Sequence, residues 1–252
     1  AQAPDGVFLL PITAGKIVIA YNLPGVDVPV RLARNVYPEI FLGRSTRWND
    51  PAIVAANPGI SLPDLPITVV RRADSSGTTF AFTNHLAAIS EAWRAGPGVG
   101  KTVVWNDSDK NVAAPKNDGV TATIMQTPGA IGYIEYGYAR FAKVQMAMLQ
   151  NREGHFVIPD LASGQAALAS IELPEDMRVW IPDPTGAASY PIVTYSWLLV
   201  KARYQDSVKR DTLRSFLNYV LTEGQQIADS MGYLPLPAAT VERVRTVASQ
   251  IE

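Results

Sequence analysis

Within ITVVRRADSSGTTFAF, an arginine, an aspartate, two hydroxyls and a glycine follow one another at a spacing suited to holding an oxyanion. The stretch predicts a strand over 67–73, a turn through Asp74-Ser75-Ser76-Gly77-Thr78, and a helix from 78 onward. The first amides of a helix have no intrahelical acceptors, and the helix dipole favours negative charge beside them. Gly77 lets backbone approach an anion closely, and the hydroxyls of Ser76 and Thr78 add donors. Side chains alternate along a strand, so Arg72 and Asp74 are expected on one side and Arg71 on the other. Arg72 can then present a planar fork to an oxyanion while Asp74 holds the guanidinium in one orientation. Arg71 is expected at the surface, solvated or salt-bridged. Taken alone, the same residues also suit an ordinary serine or aspartate N-cap followed by a turn glycine, and the segment leaves both readings open.

A second stretch, Ala95-Gly-Pro-Gly-Val-Gly-Lys-Thr102, imitates a nucleotide-binding loop with alanine at its first position. Such a loop works by joining the end of a strand to the start of a helix. Here ISEAWRAG upstream is helical in character, and TVVW (102–105) is β-branched and aromatic, so Lys101 is expected to open a strand. That order argues against ATP. Two histidines, His85 and His155, and no cysteine give no metal constellation. Glu135, between aromatics in GYIEYGY, is a candidate perturbed carboxylate; with no paired acid or nucleophile it is expected to be structural. The strings Gly-x-Ser-x-Gly, Ser-x-x-Lys and His-Glu-x-x-His are absent.

The elements that must position these residues alternate. KIVIAYN (16–22), ITVVRRA (67–73), TVVW (102–105) and AIGYIEY (130–136) read as strands, RLARNVYPEIFLG (31–43), 78–93 and 119–126 as helices. QMAMLQ and HFVIP flank a hairpin-like turn at NREG, and PIVTYSWLLVKA (191–202) is the most strand-like run. Two helices close the sequence, one with Val208, Leu213, Phe216, Leu217, Val220 and Leu221 on a stripe, the other around 240–249. The alternation predicts an α/β fold. No linker marks a domain boundary, so if there are two lobes the chain crosses between them inside strands.

Composition narrows the function. At 252 residues, 47% hydrophobic and 18% charged, the chain has the make-up of a soluble globular protein. A formal charge of -1 supplies no basic field for nucleic acid. No apolar run is long enough to span a bilayer, and the first residues lack the basic and apolar regions of an export signal. Zero cysteines suits an oxidising compartment.

VVRRADSSGTTFAF resembles the phosphate-binding element of the periplasmic phosphate-binding proteins of phosphate ABC transporters, the PstS family. GKIVIAYNLPGV (15–26), IFLGRSTRWNDPAIVAANPGISLP (40–63), NDGVTATIMQTPGAIGYIEYGYA (117–139) and GYLPLP (232–237) agree with the family in order, over nearly the whole chain. The resemblance implies phosphate contacts from Arg72, Ser76, Gly77 and Thr78 with Asp74 in support; position 75, often glycine in the family, is serine here. It further implies a two-lobed periplasmic binding protein fold of type 2, with lobe two over 14–190 and a remnant of lobe one in 1–13 and 191–252. Family members usually begin with a further segment that adds phosphate-facing loops and an aspartate from lobe one. None of these is in the sequence, so the first lobe is expected to be incomplete, its remainder cleaved, naturally missing or supplied by a second chain. The implied function is capture of inorganic phosphate and delivery to a membrane-embedded ABC permease, in the periplasm, cell envelope or extracellular space, without catalysis, cofactor, metal, nucleic acid or membrane insertion. The alternatives are a phosphate-handling enzyme, a phosphatase or nucleotidase, and an interaction protein on the same scaffold.

Overall fold

The structure is a computed structural model that describes residues 6–105 and 111–252. In chain order the elements are β1 (Val7–Tyr21), β2 (Arg31–Leu32), α1 (Tyr37–Phe41), α2 (Pro51–Ala56), β3 (Thr68–Arg72), α3 (Gly77–Ile89), α4 (Glu91–Ala95) and β4 (Asn111–Ala114). There follow α5 (Lys116–Gln126), β5 (Ala130–Glu135), α6 (Tyr136–Ala142), β6 (Gln145–Met146), β7 (Met148–Gln150), β8 (Phe156–Val157) and α7 (Leu161–Ala169). The chain ends with β9 (Val193–Lys201), α8 (Ser207–Leu221), α9 (Glu223–Ile227), a 3-10 turn (Asp229–Met231) and α10 (Ala238–Ala248). Among the described residues no helix is long and apolar enough to cross a membrane.

The main sheet runs β4-β3-β5-β1-β6, with β9 also on β1. β3 lies parallel to both β4 and β5, while β5 runs antiparallel to β1. β1 serves two partners in succession. Val7 to Lys16 pair antiparallel with β9, and Ile17 to Tyr21 pair with β5, so the exchange falls between Lys16 and Ile17. The β1–β9 register shifts between Pro11 and Thr13. A proline cannot donate to a ladder, which confines it to edges and irregularities of this kind. A small sheet, β2-β7-β8, completes the β structure, and the Asn151-Arg-Glu-Gly turn joins its antiparallel β7 and β8 as the hairpin reading expected.

An aromatic cluster seats α3 on the main sheet. Phe82 stacks on Tyr133 of β5 at 4.4 Å, and Phe41 meets Phe82 edge-on at 4.7 Å. Thr79, Phe82, Thr83 and Leu86 form the buried face of the helix. That anchoring fixes where the N-terminus of α3 points.

Several expected elements differ. The helix expected over 31–43 shrinks to α1, because Pro38 is tolerated only in a first turn and Gly43, at φ 73, leaves the helical region. The helix expected over 78–93 breaks at Ser90, whose extended backbone (φ -135, ψ 116) and hydroxyl cap α4. No strand forms over 102–105. Trp105 is drawn out of any ladder by stacking on Tyr133 at 5.8 Å and packing edge-on against Trp93 at 5.6 Å, and the strand of this region is β4. On α8 only Leu217 and Leu221 of the apolar stripe are buried; Val208 is 73% and Phe216 47% exposed.

Candidate functional site

Arg72 closes β3 with its side chain 9% exposed. Its Nε and Nη2 donate to the two Asp74 carboxylate oxygens at 2.9 and 2.6 Å, a fork-on-fork pair. The remaining nitrogen, Nη1, is turned toward Thr78 Oγ1 (3.4 Å) and Asn117 Oδ1 (3.3 Å). Asp74 also accepts the Lys116 amide at 2.9 Å. The Arg72 guanidinium first, and that amide second, hold the Asp74 carboxyl well below the usual carboxylate range.

Ser76 caps α3. Its Oγ accepts the amides of Thr78 and Thr79 at 3.1 and 3.3 Å, and its own amide donates to the Lys101 carbonyl at 3.0 Å. The Ser76 hydroxyl proton remains available to a further acceptor. The Gly77 amide opens the helix and has no acceptor within it. The space where a Cβ on Gly77 would sit is empty to 4 Å, so the glycine leaves open space at the helix end.

Arg72, Ser76, Gly77 and Thr78 line one cavity of about 660 Å³, and Asp74 stands behind Arg72. The structure thus brings together the residues singled out in the sequence. Asn117 at the start of α5, Glu135 at the end of β5 and Tyr195 on β9 join them on the cavity wall. Glu135 stands out in the sequence among aromatics, but no local pattern places any of the three beside Arg72, because their approach depends on strand pairing.

Two readings need correction. Arg71 is half-buried, its guanidinium 6.0 Å above the Trp105 ring and its Nε without a hydrogen-bond partner among the described residues, so it is no solvated surface arginine. The nucleotide-loop imitation starts neither helix nor strand, which removes the geometry that nucleotide loops require. Yet it is no bystander. Besides the Lys101 carbonyl on Ser76, the Gly100 amide and carbonyl both bond Thr83 Oγ1 at 3.2 Å, and Lys101 lines the cavity. The loop buttresses the start of α3 from behind.

Glu135 caps α6 through Oε2, which accepts the Gly137 amide at 3.0 Å. Burial pushes its carboxyl up to about 7, against the opposing pull of that amide and of Lys16. Lys16, 1% exposed, donates to the Asp160 carbonyl at 2.7 Å and sits 3.7 Å over the Tyr136 ring; burial brings it down to about 8. The histidines lie apart: His85 is buried between the Tyr37 hydroxyl and the Pro182 carbonyl, and no metal-holding cluster occurs among the described residues.

Residues 2–223 match the family model of the PBP superfamily domain. The phosphate-binding protein PstS of Haemophilus influenzae is 35% identical, aligned over 94% of this chain and 71% of its own length. The PstS proteins of Xylella fastidiosa strain 9a5c (35% identical) and Methanocaldococcus jannaschii (38%) align over 96% and 92% of this chain and 66% and 64% of theirs. The chain therefore belongs to the PBP superfamily and, within it, to the family of PstS phosphate-binding proteins, spanning about two thirds of the length of these curated relatives. Its fold matches that of a high affinity periplasmic phosphate-binding protein, PfluDING, solved with bound phosphate: TM-score 0.78, 22% identity, 95% of this chain and 71% of that one. The phosphate-binding protein of Stenotrophomonas maltophilia gives a TM-score of 0.74 at 19% identity, over 97% and 71% of the two chains.

Proposed function

We propose that this chain carries the phosphate-binding half-site of a solute-binding protein that captures inorganic phosphate and passes it to an ABC permease in the cell envelope. The observation that carries the proposal is Arg72, pinned by Asp74 beside the capped N-terminus of α3, with both opening onto the same cavity. In this reading Arg72 Nη1, the Ser76 and Thr78 hydroxyls and the Gly77 amide donate to phosphate oxygens. Asp74 makes no contact with the anion; it spends its charge on Arg72. The relatives' shared name, phosphate-binding protein, supports phosphate as the ligand. Every group assigned to the anion is a donor, and neither hydroxyl has a carboxylate or imidazole among its hydrogen-bond partners to activate it as a nucleophile, which favours binding over catalysis.

The two-lobed division belongs to the proposal: lobe two over 14–190, with 1–13 and 191–252 contributing to lobe one. Exposed Val208 and Phe216 on α8 and Leu199 on β9 suit a lobe completed by a further segment, from the same polypeptide or a second one.

Donors acting from one side of an open, wet site are weakened by solvent and salt. Calorimetry of the chain with inorganic phosphate is therefore expected to give binding on the order of millimolar, about 4 kcal/mol, with little preference over sulfate. ATP should bind no better than phosphate, and Arg72→Ala should abolish binding. Tight binding of ATP, or full affinity in Arg72→Ala, would assign the cavity another ligand.

A further inference from the structure

Glu135 puts a carboxylate on the cavity wall, and the phosphate reading leaves it unused. β3 and β5 are adjacent and parallel, and the pairing of Val70 with Gly132 sets Arg72 opposite Ile134, one residue before Glu135. Arg72 and Glu135 are the last residues of neighbouring strands, whose backbones lie about 4.8 Å apart. The carboxyl ends of parallel strands are where α/β sheets hold ligands, and both side chains line the same cavity.

One carboxylate oxygen of Glu135 is satisfied and the other is not. Oε2 takes the Gly137 amide, whereas Oε1 is buried with no hydrogen-bond partner among the described residues. The surrounding charges are committed elsewhere. From β1, Lys16 gives its ammonium to the Asp160 carbonyl and the Tyr136 ring; from α6, Arg140 pairs with Asp229 at 3.5 Å; from β3, Arg72 is forked onto Asp74. Tyr233 after the 3-10 turn, Tyr195 on β9 and Lys101 are the other titratable side chains that line the cavity. A buried carboxylate oxygen without a donor is costly, and a proton on it removes that cost.

Resting on the reading of the cavity as an anion site, we propose that Glu135 takes up a proton when an oxyanion binds and then donates its Oε1–H to that anion. The proton comes from solvent: hydronium or a buffer acid gives it to Oε1, leaving water or the conjugate base, and no bond within the anion is made or broken. An incoming anion is a like charge beside the carboxylate and shifts it further toward the protonated form. The bound state consequently holds more protons than the free state around neutral pH, and affinity falls as pH rises. Lys16, brought down to about 8, is the rival source of such coupling, since an anion also favours its protonated form.

The test uses sulfate, whose own protonation does not change near neutral pH, on the whole chain. Calorimetry at about pH 7.5 in two buffers of different ionisation enthalpy counts the protons taken up. A substantial fraction of a proton per sulfate is expected, with affinity weakening roughly tenfold between about pH 6.5 and 8.5. Glu135→Gln places a permanent N–H donor at the same point. It should abolish the uptake, flatten the pH profile to within about twofold, and bind sulfate more tightly than the parent at the alkaline end. Sulfate binding by the parent without proton uptake overturns the proposal, as does uptake persisting in Glu135→Gln, which assigns it to Lys16. If neither phosphate nor sulfate binds the parent at any pH, the anion-site reading itself falls and takes this inference with it.

Discussion

Arg72 and Asp74 divide labour in a way that sets their pH behaviour. Because Asp74 is held below the usual carboxylate range, its pairing stabilises the fold above the normal aspartate value and is lost only as pH falls through the depressed one. Arg72 orientation is therefore expected not to titrate between about pH 4 and 8, so any loss of affinity in that window comes from other groups. Asp74→Asn keeps the shape but gives up the two charge-assisted bonds. We expect affinity for phosphate to fall about tenfold, read by calorimetry, with the fold intact by circular dichroism. Alternation along β3 was enough to place Arg72 and Asp74 together from sequence. It could not place Arg71, whose partner is the ring of Trp105, brought close only when β3, β4 and β5 assemble. Glu135 stood out among aromatics in the sequence, but its orphaned oxygen depends on the packing of β1 and α6 against β5.

At the scale of the element, α3 does the positioning and Ser76 and Gly77 can be separated by experiment. Ser76→Ala removes the cap from two amides and is expected to cost about 1 kcal/mol of unfolding free energy, measured by urea denaturation. Gly77→Ala should do the opposite to stability, since alanine is the better helix residue and nothing lies within 4 Å of its methyl. That methyl stands in the cavity, however, so phosphate affinity should drop severalfold while thermal stability holds or rises; unchanged affinity would show that the anion does not approach Gly77. The strand-turn-helix order around these residues was legible because periodicity changes abruptly at Asp74. The break at Ser90 and the short α1 were written in capping and proline chemistry that the apolar pattern overrode. The missing strand at 102–105 has another cause: β-branched residues mark a strand only if a neighbour is there to pair, and aromatic stacking claimed Trp105 instead.

For the molecule as a whole, burial separates what this chain stabilises by itself from what it leaves open. Leu217→Ala on α8 is expected to cost about 2–5 kcal/mol, and Phe216→Ser one residue earlier less than about 0.5 kcal/mol, both by denaturant unfolding. Comparable costs would mean that the exposed side of α8 is covered in solution. The α/β class followed from the alternation of elements, but strand order did not, since no local pattern tells β1 to take one partner before Lys16 and another after it. That divided strand also has a consequence for biosynthesis. The second half of β1 can find β5 once Glu135 has left the ribosome, whereas the first half must wait for β9 (Val193–Lys201), which is made later. Translation adds about 5–20 residues each second, so the beginning of the strand spends seconds as an unpaired apolar edge while its continuation is already folded. The interval makes Val7 to Lys16, rather than the second half of the strand, the part of β1 in greatest need of protection by a chaperone.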